Sequence, residues 1–218
     1  MKSCKKSMLL YAVTDRAWTK KKSLYEQVND ALKGGVTCVQ LREKELNYDD
    51  FLMEAIEIGS LCKQFDVPFI VNDNIDIAIK SNADGVHIGQ HDMSAKEARK
   101  LIGENKILGV SVQTVKQAIA AENDGADYLG VGAVFNTSTK EDADAVSPKT
   151  LKEISAATSL PVVAIGGINE TNIPLLKDCN IDGVAVVSAI FNSPDIEKQC
   201  KKLYELCLRT FNNGGDMP

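Results

Sequence analysis

Apolar and polar positions along this chain alternate between two periods. Short apolar runs at residues 9–14, 36–41, 69–71, 85–88, 107–112, 128–131, 162–165 and 183–187 are each closed by a glycine or a polar residue, the pattern of buried parallel strands. Between them the spacing turns helical. Residues 24–33 carry Leu24, Val28, Ala31 and Leu32 on one face behind Ser23, a capping residue. Residues 48–65 line up Phe51, Leu52, Ala55, Ile58, Leu61, Cys62 and Phe65, a span too long for a strand. Shorter helices are predicted within 75–83, at 94–101 with Ser94 and Glu97 as a capping box, at 114–123, at 148–157 with Pro148 in the first turn, and at 171–177. A helical turn at 188–191 and a last helix at 195–208 follow, and the tail beyond has nothing to pack and is expected to fray.

Eight such alternations predict an α/β chain folded as one (β/α)8 barrel over residues 1–218, with a flexible tail from about residue 210. An open doubly wound sheet stays as the alternative, because periodicity does not prove closure. Small-residue turns at Gly34-Gly35, Asp84-Gly85 and Gly125-Ala126-Asp127 mark where helices hand over to strands.

Composition narrows the function. A net charge of -5 without acidic or basic blocks argues against nucleic acid as a partner, and no run approaches the ~18 apolar residues of a membrane span. The apolar start stops at Asp15 and Arg16 without a cleavage site, so it reads as a first strand. Six scattered cysteines without a CxxC read as reduced core thiols of a cytoplasmic protein. Monomer and homodimer both stay open.

In a barrel the residues after each strand form the catalytic face. Asp73 and Asp92 end two consecutive strands and together suit a Mg²⁺ that shares its shell with substrate phosphates, although a solvated pair of loop aspartates is the plain alternative. Gln40, Arg42 and Lys44 alternate along one strand end, bringing an amide, a guanidinium and an ammonium to one side. Ser111 has no glycine elbow or evident histidine base, so it is expected to contact phosphate and not to act as a nucleophile. Thr137, Ser138, Thr139 and Lys140 sit in the long polar passage after residue 131 and can wrap a diphosphate. Gly166, Gly167, Val187 and Ser188 resemble the common barrel monophosphate site. His87 and His91, four apart but not on a helix, do not form a helical metal pair. Trp18 and the lysines after it read as a solvated turn or a rim.

The motifs QLREK at 40–44, VND at 71–73, GQHD at 89–92, GVS at 109–111, TSTK at 137–140, IGGI at 165–168 and VVSAI at 186–190 together closely resemble the thiamine-phosphate synthase family. The resemblance implies a barrel enzyme with two phosphorylated small-molecule substrates. It would join 4-amino-5-hydroxymethyl-2-methylpyrimidine diphosphate to a carboxylated thiazole phosphate with Mg²⁺, giving thiamine monophosphate, pyrophosphate and CO2. Carried onto this chain, Gln40 would contact the pyrimidine, and Leu41 and Glu43 would belong to the same substrate-binding run. Arg42, Lys44, Ser111, Thr139 and Lys140 would hold the diphosphate, with Thr137 and Ser138 nearby. Asn72 would place that substrate, and Asp73 and Asp92 would hold the metal. Gly167, Val187 and Ser188 would hold the thiazole phosphate. Asn136 stands where many members have proline, a change that loosens entry to the loop. A thiazole tautomerase-like barrel, another phosphosugar barrel and a non-catalytic binding regulator remain the alternatives.

Overall fold

A computed structural model of the chain describes residues 4–19, 22–135 and 146–211. Its eight strands are β1 (Leu10–Val13), β2 (Cys38–Leu41), β3 (Phe69–Asn72), β4 (Gly85–Ile88), β5 (Ile107–Val112), β6 (Tyr128–Val131), β7 (Val162–Ile165) and β8 (Gly183–Val186). They pair in parallel in chain order and close into a barrel. The closing pair settles the architecture: Leu10 lies opposite Val184 and Ala12 opposite Val186, which an open sheet would leave unpaired.

The helices are α1 (Cys4–Ser7), α2 (Leu24–Lys33), α3 (Tyr48–Gln64), α4 (Ile75–Lys80), α5 (Ala95–Ile102), α6 (Val115–Asn123), α7 (Pro148–Ala156), α8 (Ser188–Phe191) and α9 (Ile196–Phe211). Ser23 and Glu26 form a reciprocal capping box on α2, as Thr114 and Gln117 do on α6. Ser94 also caps α5 through the Glu97 amide, but the Glu97 carboxylate accepts the Ser94 hydroxyl. The helix predicted at 171–177 is instead a 3₁₀ segment, Ile173–Cys179: Pro174 removes an amide near its start and Asn172 makes no side-chain cap. At the other end of the prediction, α9 runs past residue 208 to Phe211. Thr210 is buried there, its hydroxyl donating to the Leu206 carbonyl 2.8 Å away, and the expected fraying beyond it falls on residues 212–218, outside the described residues.

The lower rim explains the small and acidic residues at the strand starts. Thr37, Asp84, Asp127 and Asp182 precede β2, β4, β6 and β8, and each side chain accepts from a backbone amide at the start of the preceding strand. The amides are those of Leu10, Phe69, Leu108 and Val162, at 2.8–2.9 Å. A buried strand start otherwise leaves such an amide unsatisfied, at a cost of ~1–3 kcal/mol. The alternate strands are thus stitched at one end, which leaves the other end to be built for chemistry.

Two apolar layers result. Leu, Ile, Val and Ala fill the shell between sheet and helices, Ile58, Leu151 and Leu203 among them with no exposure. Inside the barrel lies a smaller cluster that includes Met8, Tyr11, Cys38, Ile70, Tyr128 and Val163. Cys38, Cys62, Cys179, Cys200 and Cys207 are buried and in no disulfide, and burial pushes Cys62, Cys200 and Cys207 up to about 12, so these three pack as small hydrophobes. Among the described residues no helix is long and apolar enough to cross a membrane.

Candidate active site

The ends of β2, β3 and β4 bring cationic and anionic groups together. The Asp73 amide donates to the His87 carbonyl at 2.8 Å, continuing the ladder one residue past β3. Asp73 itself takes φ 61, a left-handed conformation that few non-glycine residues adopt, and the chain turns sharply there. Its carboxylate meets the Lys44 ammonium at 2.5 Å and lies within hydrogen-bonding reach of Asp92. Burial and the Asp92 carboxylate raise the Asp73 carboxyl above its ordinary value, in spite of Lys44. Asp92 is fixed in turn by the Gly89 amide, which donates to its Oδ2 at 2.7 Å.

Among the described residues there is no group of three or more His, Cys, Asp or Glu able to hold a metal. Two carboxylates are nonetheless the donor set a Mg²⁺ needs when substrate phosphates and water complete its octahedron. The like-charged contact between Asp73 and Asp92 is unfavourable unless a proton or a cation sits against it, and Lys44 supplies part of that charge.

The loop carrying Lys44 is held from below. Arg16, in a 3₁₀ turn after β1, donates from Nε to Glu43 at 2.7 Å and from Nη2 to both Glu54 oxygens at 2.9 and 2.8 Å. Glu43 Oε1 accepts from the amides of Lys44, Glu45 and Leu46. The Glu43 carboxylate, expected among the substrate contacts, is therefore engaged in shaping the loop. Leu41, from the same motif, has no exposure and packs in the outer apolar layer, so only its backbone can reach a substrate. Arg42 sits over β1: its amide donates to the Thr14 hydroxyl at 3.0 Å and its guanidinium lies 3.7 Å from Asp15.

Gln40 and Ser111 are the ends of a polar chain that runs through the barrel interior. Gln40 Nε2 donates to the Tyr11 hydroxyl at 2.9 Å; the Tyr11 and Tyr128 hydroxyls are 2.9 Å apart; Tyr128 is 2.9 Å from His87 Nδ1; His87 Nε2 is 2.9 Å from Ser111 Oγ. Burial holds the Tyr11 phenol well above its ordinary value, so it stays a neutral donor. The register makes this meeting feasible, since Gly109 lies between His87 on β4 and Tyr128 on β6. A Cβ at Gly109 would fall 2.3 Å from the Tyr128 hydroxyl and 2.5 Å from His87 Nδ1. Gln40 thus hydrogen-bonds inside the barrel, as its place in an apolar run requires. Tyr11, Tyr128 and His87 escape a reading of the sequence, where each resembles ordinary strand core; a polar aromatic residue in an otherwise aliphatic strand was the signal available.

The other side of the mouth is built from backbone. Gly166 and Gly167 take φ 97 and 64, and the Gly167 carbonyl accepts from Asn169 Nδ2 at 3.2 Å and Asn172 Nδ2 at 2.9 Å. Val187 precedes α8, whose first amides are not used by the helix itself. A cavity of about 530 Å³ adjoins Asp73 over α4, and one of about 500 Å³ adjoins Ser188 and Asn169. Asn72 is half-buried beside Asp73 at the end of β3. Thr137, Ser138, Thr139 and Lys140, with Asn136, lie outside the described residues.

Comparison with known proteins bears on the family and the fold. A family model described as thiamine monophosphate synthase matches residues 10–190. The thiamine-phosphate synthase of Clostridium tetani is 50% identical over 194 residues, covering 89% of this chain and 93% of that one. The thiamine-phosphate synthase of Clostridioides difficile is 50% identical over 200 residues, covering 92% and 95%. A solved structure, thiamine phosphate pyrophosphorylase from Pyrococcus furiosus, superposes with a TM-score of 0.88 at 35% identity, over 95% of this chain and 99% of that one.

Proposed function

The chain belongs to the thiamine-phosphate synthase family, and on that footing we propose that its reaction runs at the mouth just described, with Mg²⁺ held between Asp73 and Asp92. The reaction joins 4-amino-5-hydroxymethyl-2-methylpyrimidine diphosphate to a carboxylated thiazole phosphate and yields thiamine monophosphate, pyrophosphate and CO2. The observation that carries the proposed site is the convergence of Asp73, Asp92 and Lys44 at the ends of three adjacent strands.

Bond cleavage comes first: the methylene carbon to oxygen bond of the pyrimidine breaks and its electron pair leaves with the diphosphate. Lys44 and Arg42 lie at the strand ends where that charge collects, and the family resemblance adds Lys140 and Thr139 to the diphosphate set, with Thr137 and Ser138 nearby. Bound Mg²⁺ supplies charge neutralisation on the same oxygens. The amino-substituted ring spreads the positive charge left on its methylene. Gln40 and Asn72 orient the ring, and Ser111 contacts the diphosphate side. The thiazole nitrogen then donates its lone pair to the methylene carbon, the carbon to carboxylate bond breaks with its electrons returning to the thiazole ring as CO2 leaves, and the ring system takes up a proton from solvent. Gly167, Val187 and Ser188 position that second substrate through its phosphate. No side-chain nucleophile is needed.

The test is product formation by purified protein. With both substrates and Mg²⁺, thiamine phosphate identified by mass and pyrophosphate appear together; omitting either substrate or adding EDTA abolishes both. Folded, metal-loaded protein that makes no thiamine phosphate would remove this reading.

A further inference from the structure

From the buried chain Gln40–Tyr11–Tyr128–His87–Ser111 we infer that Tyr11, Tyr128 and His87 are positioning residues that fix a single hydrogen-bond direction across the barrel. That direction presents an acceptor at Gln40 and a donor at Ser111 to the pyrimidine substrate. The inference rests on the substrate assignment above and deepens it.

The direction follows link by link. Gln40 Nε2 can only donate, so Tyr11 accepts from it and has its own hydrogen to pass on. The order in which each link carries one hydrogen has Tyr11 donating to Tyr128 and Tyr128 donating to His87 Nδ1. A neutral imidazole that accepts at Nδ1 carries its proton on Nε2, and that N–H donates to Ser111 Oγ. The Ser111 hydrogen is then free to point to a ligand. Gln40, whose amide nitrogen is committed to Tyr11, offers Oε1, and Gln40 is 5% exposed. The reverse order, beginning at a Ser111 that donates to His87, would exchange both characters at once. With each link carrying one hydrogen, the two ends are set together, although Gln40 is on β2 and Ser111 on β5.

An aminopyrimidine diphosphate presents amino N–H donors at one end and phosphate oxygens, which only accept, at the other, the complement of an acceptor at Gln40 and a donor at Ser111. Cooperative polarisation along such a chain strengthens each link when the neighbouring ones are made. Mid-barrel residues that no substrate touches would then alter the affinity for one substrate only.

The first test uses wild-type protein alone. Only two histidines are present, so ¹⁵N-histidine labelling resolves His87 with His91→Asn as the assignment control. A neutral His87 protonated on Nε2 is expected; an Nδ1-protonated ring or an imidazolium at neutral pH would overturn the inferred direction. This readout does not depend on the reaction, so it separates failure of the chain from failure of the substrate assignment. The second test compares kinetics of Tyr128→Phe and Tyr11→Phe. Each is expected to raise KM for the pyrimidine diphosphate roughly tenfold, the effect of about one neutral hydrogen bond, and to leave KM for the thiazole phosphate unchanged. In wild-type protein the Gln40→Ala and Ser111→Ala effects should be non-additive by roughly threefold or more, and become additive when Tyr128→Phe is added. Equal changes in both KM values, or additivity in the wild-type background, would overturn it.

Discussion

Lys44 Nζ lies 2.5 Å from Asp73 Oδ2, so the cation expected at the diphosphate is anchored to the carboxylate expected at the metal. The two expectations share a contact, so on the proposed function the ammonium is expected to shift from carboxylate to phosphate when substrate and metal bind. Lys44→Ala should lower kcat/KM for the pyrimidine diphosphate by roughly a hundredfold, the scale of losing one charge-stabilising donor. The same variant should bind Mg²⁺ more tightly in the absence of substrate, because nothing competes for Asp73. Calorimetric titration checks this second half, and weaker metal binding would count against the arrangement.

Arg42 and Gly167 belong to opposite sides of the mouth. Arg42→Ala should raise KM for the diphosphate substrate and slow turnover, whereas Gly167→Ala should chiefly raise KM for the thiazole phosphate. A Cβ at φ 64 costs ~1–2 kcal/mol, so the glycine variant should also melt earlier. Equal effects of each variant on both substrates in a full kinetic matrix would deny two separate subsites.

Glu43 links stability to pH. Burial disfavours its charged form, but the Arg16 hydrogen bond and the amides of Glu45, Leu46 and Lys44 outweigh burial and hold its carboxyl below the ordinary range. A depressed carboxylate contributes stability above its unfolded pKa and loses it as pH falls through the folded pKa. The melting temperature should therefore fall between roughly pH 5 and pH 3, and Glu43→Gln should flatten that slope while lowering the melt at neutral pH. Glu54, which burial holds above its ordinary range despite Arg16, acts in the opposite sense and keeps the slope modest.

Lys140, outside the described residues, tests the diphosphate assignment. As a diphosphate contact it should cost activity with little effect on folding: Lys140→Ala is expected to reduce pyrophosphate release while the thermal melt stays nearly unchanged. A large drop in melting temperature would assign it a structural role.

Strand-by-strand, the barrel was legible because each strand is buried on both faces and each helix on one, and the two periods differ. Residues 107–112, 128–131 and 162–165 begin and end in the structure where the apolar runs do. Closure was not legible, since pairing of Leu10 with Val184 leaves no mark in either local pattern. Asp73 and Asp92 stood out because each lies in the short polar stretch that closes an apolar run, two residues past 71 and four past 88. Their mutual approach depends on the left-handed turn at Asp73, which aspartate tolerates but does not signal. Tyr11, Tyr128 and His87 were hidden for another reason: a tyrosine in an aliphatic strand reads as core, and only the register across Gly109 shows that their polar atoms meet.

The central claim, that Asp73 and Asp92 hold the metal that helps diphosphate leave, is tested most directly by pyrophosphate release as a function of Mg²⁺ in wild type, Asp73→Asn and Asp92→Asn. Asparagine keeps the shape and tolerates the left-handed backbone at position 73, so folding should survive and the melts should stay close to wild type. We expect saturable Mg²⁺ dependence in the wild type, loss of turnover of roughly a hundredfold or more in each variant, and a half-saturating Mg²⁺ concentration displaced upward. Wild-type activity that persists in EDTA, or variants that match wild type in rate and Mg²⁺ dependence, would contradict it.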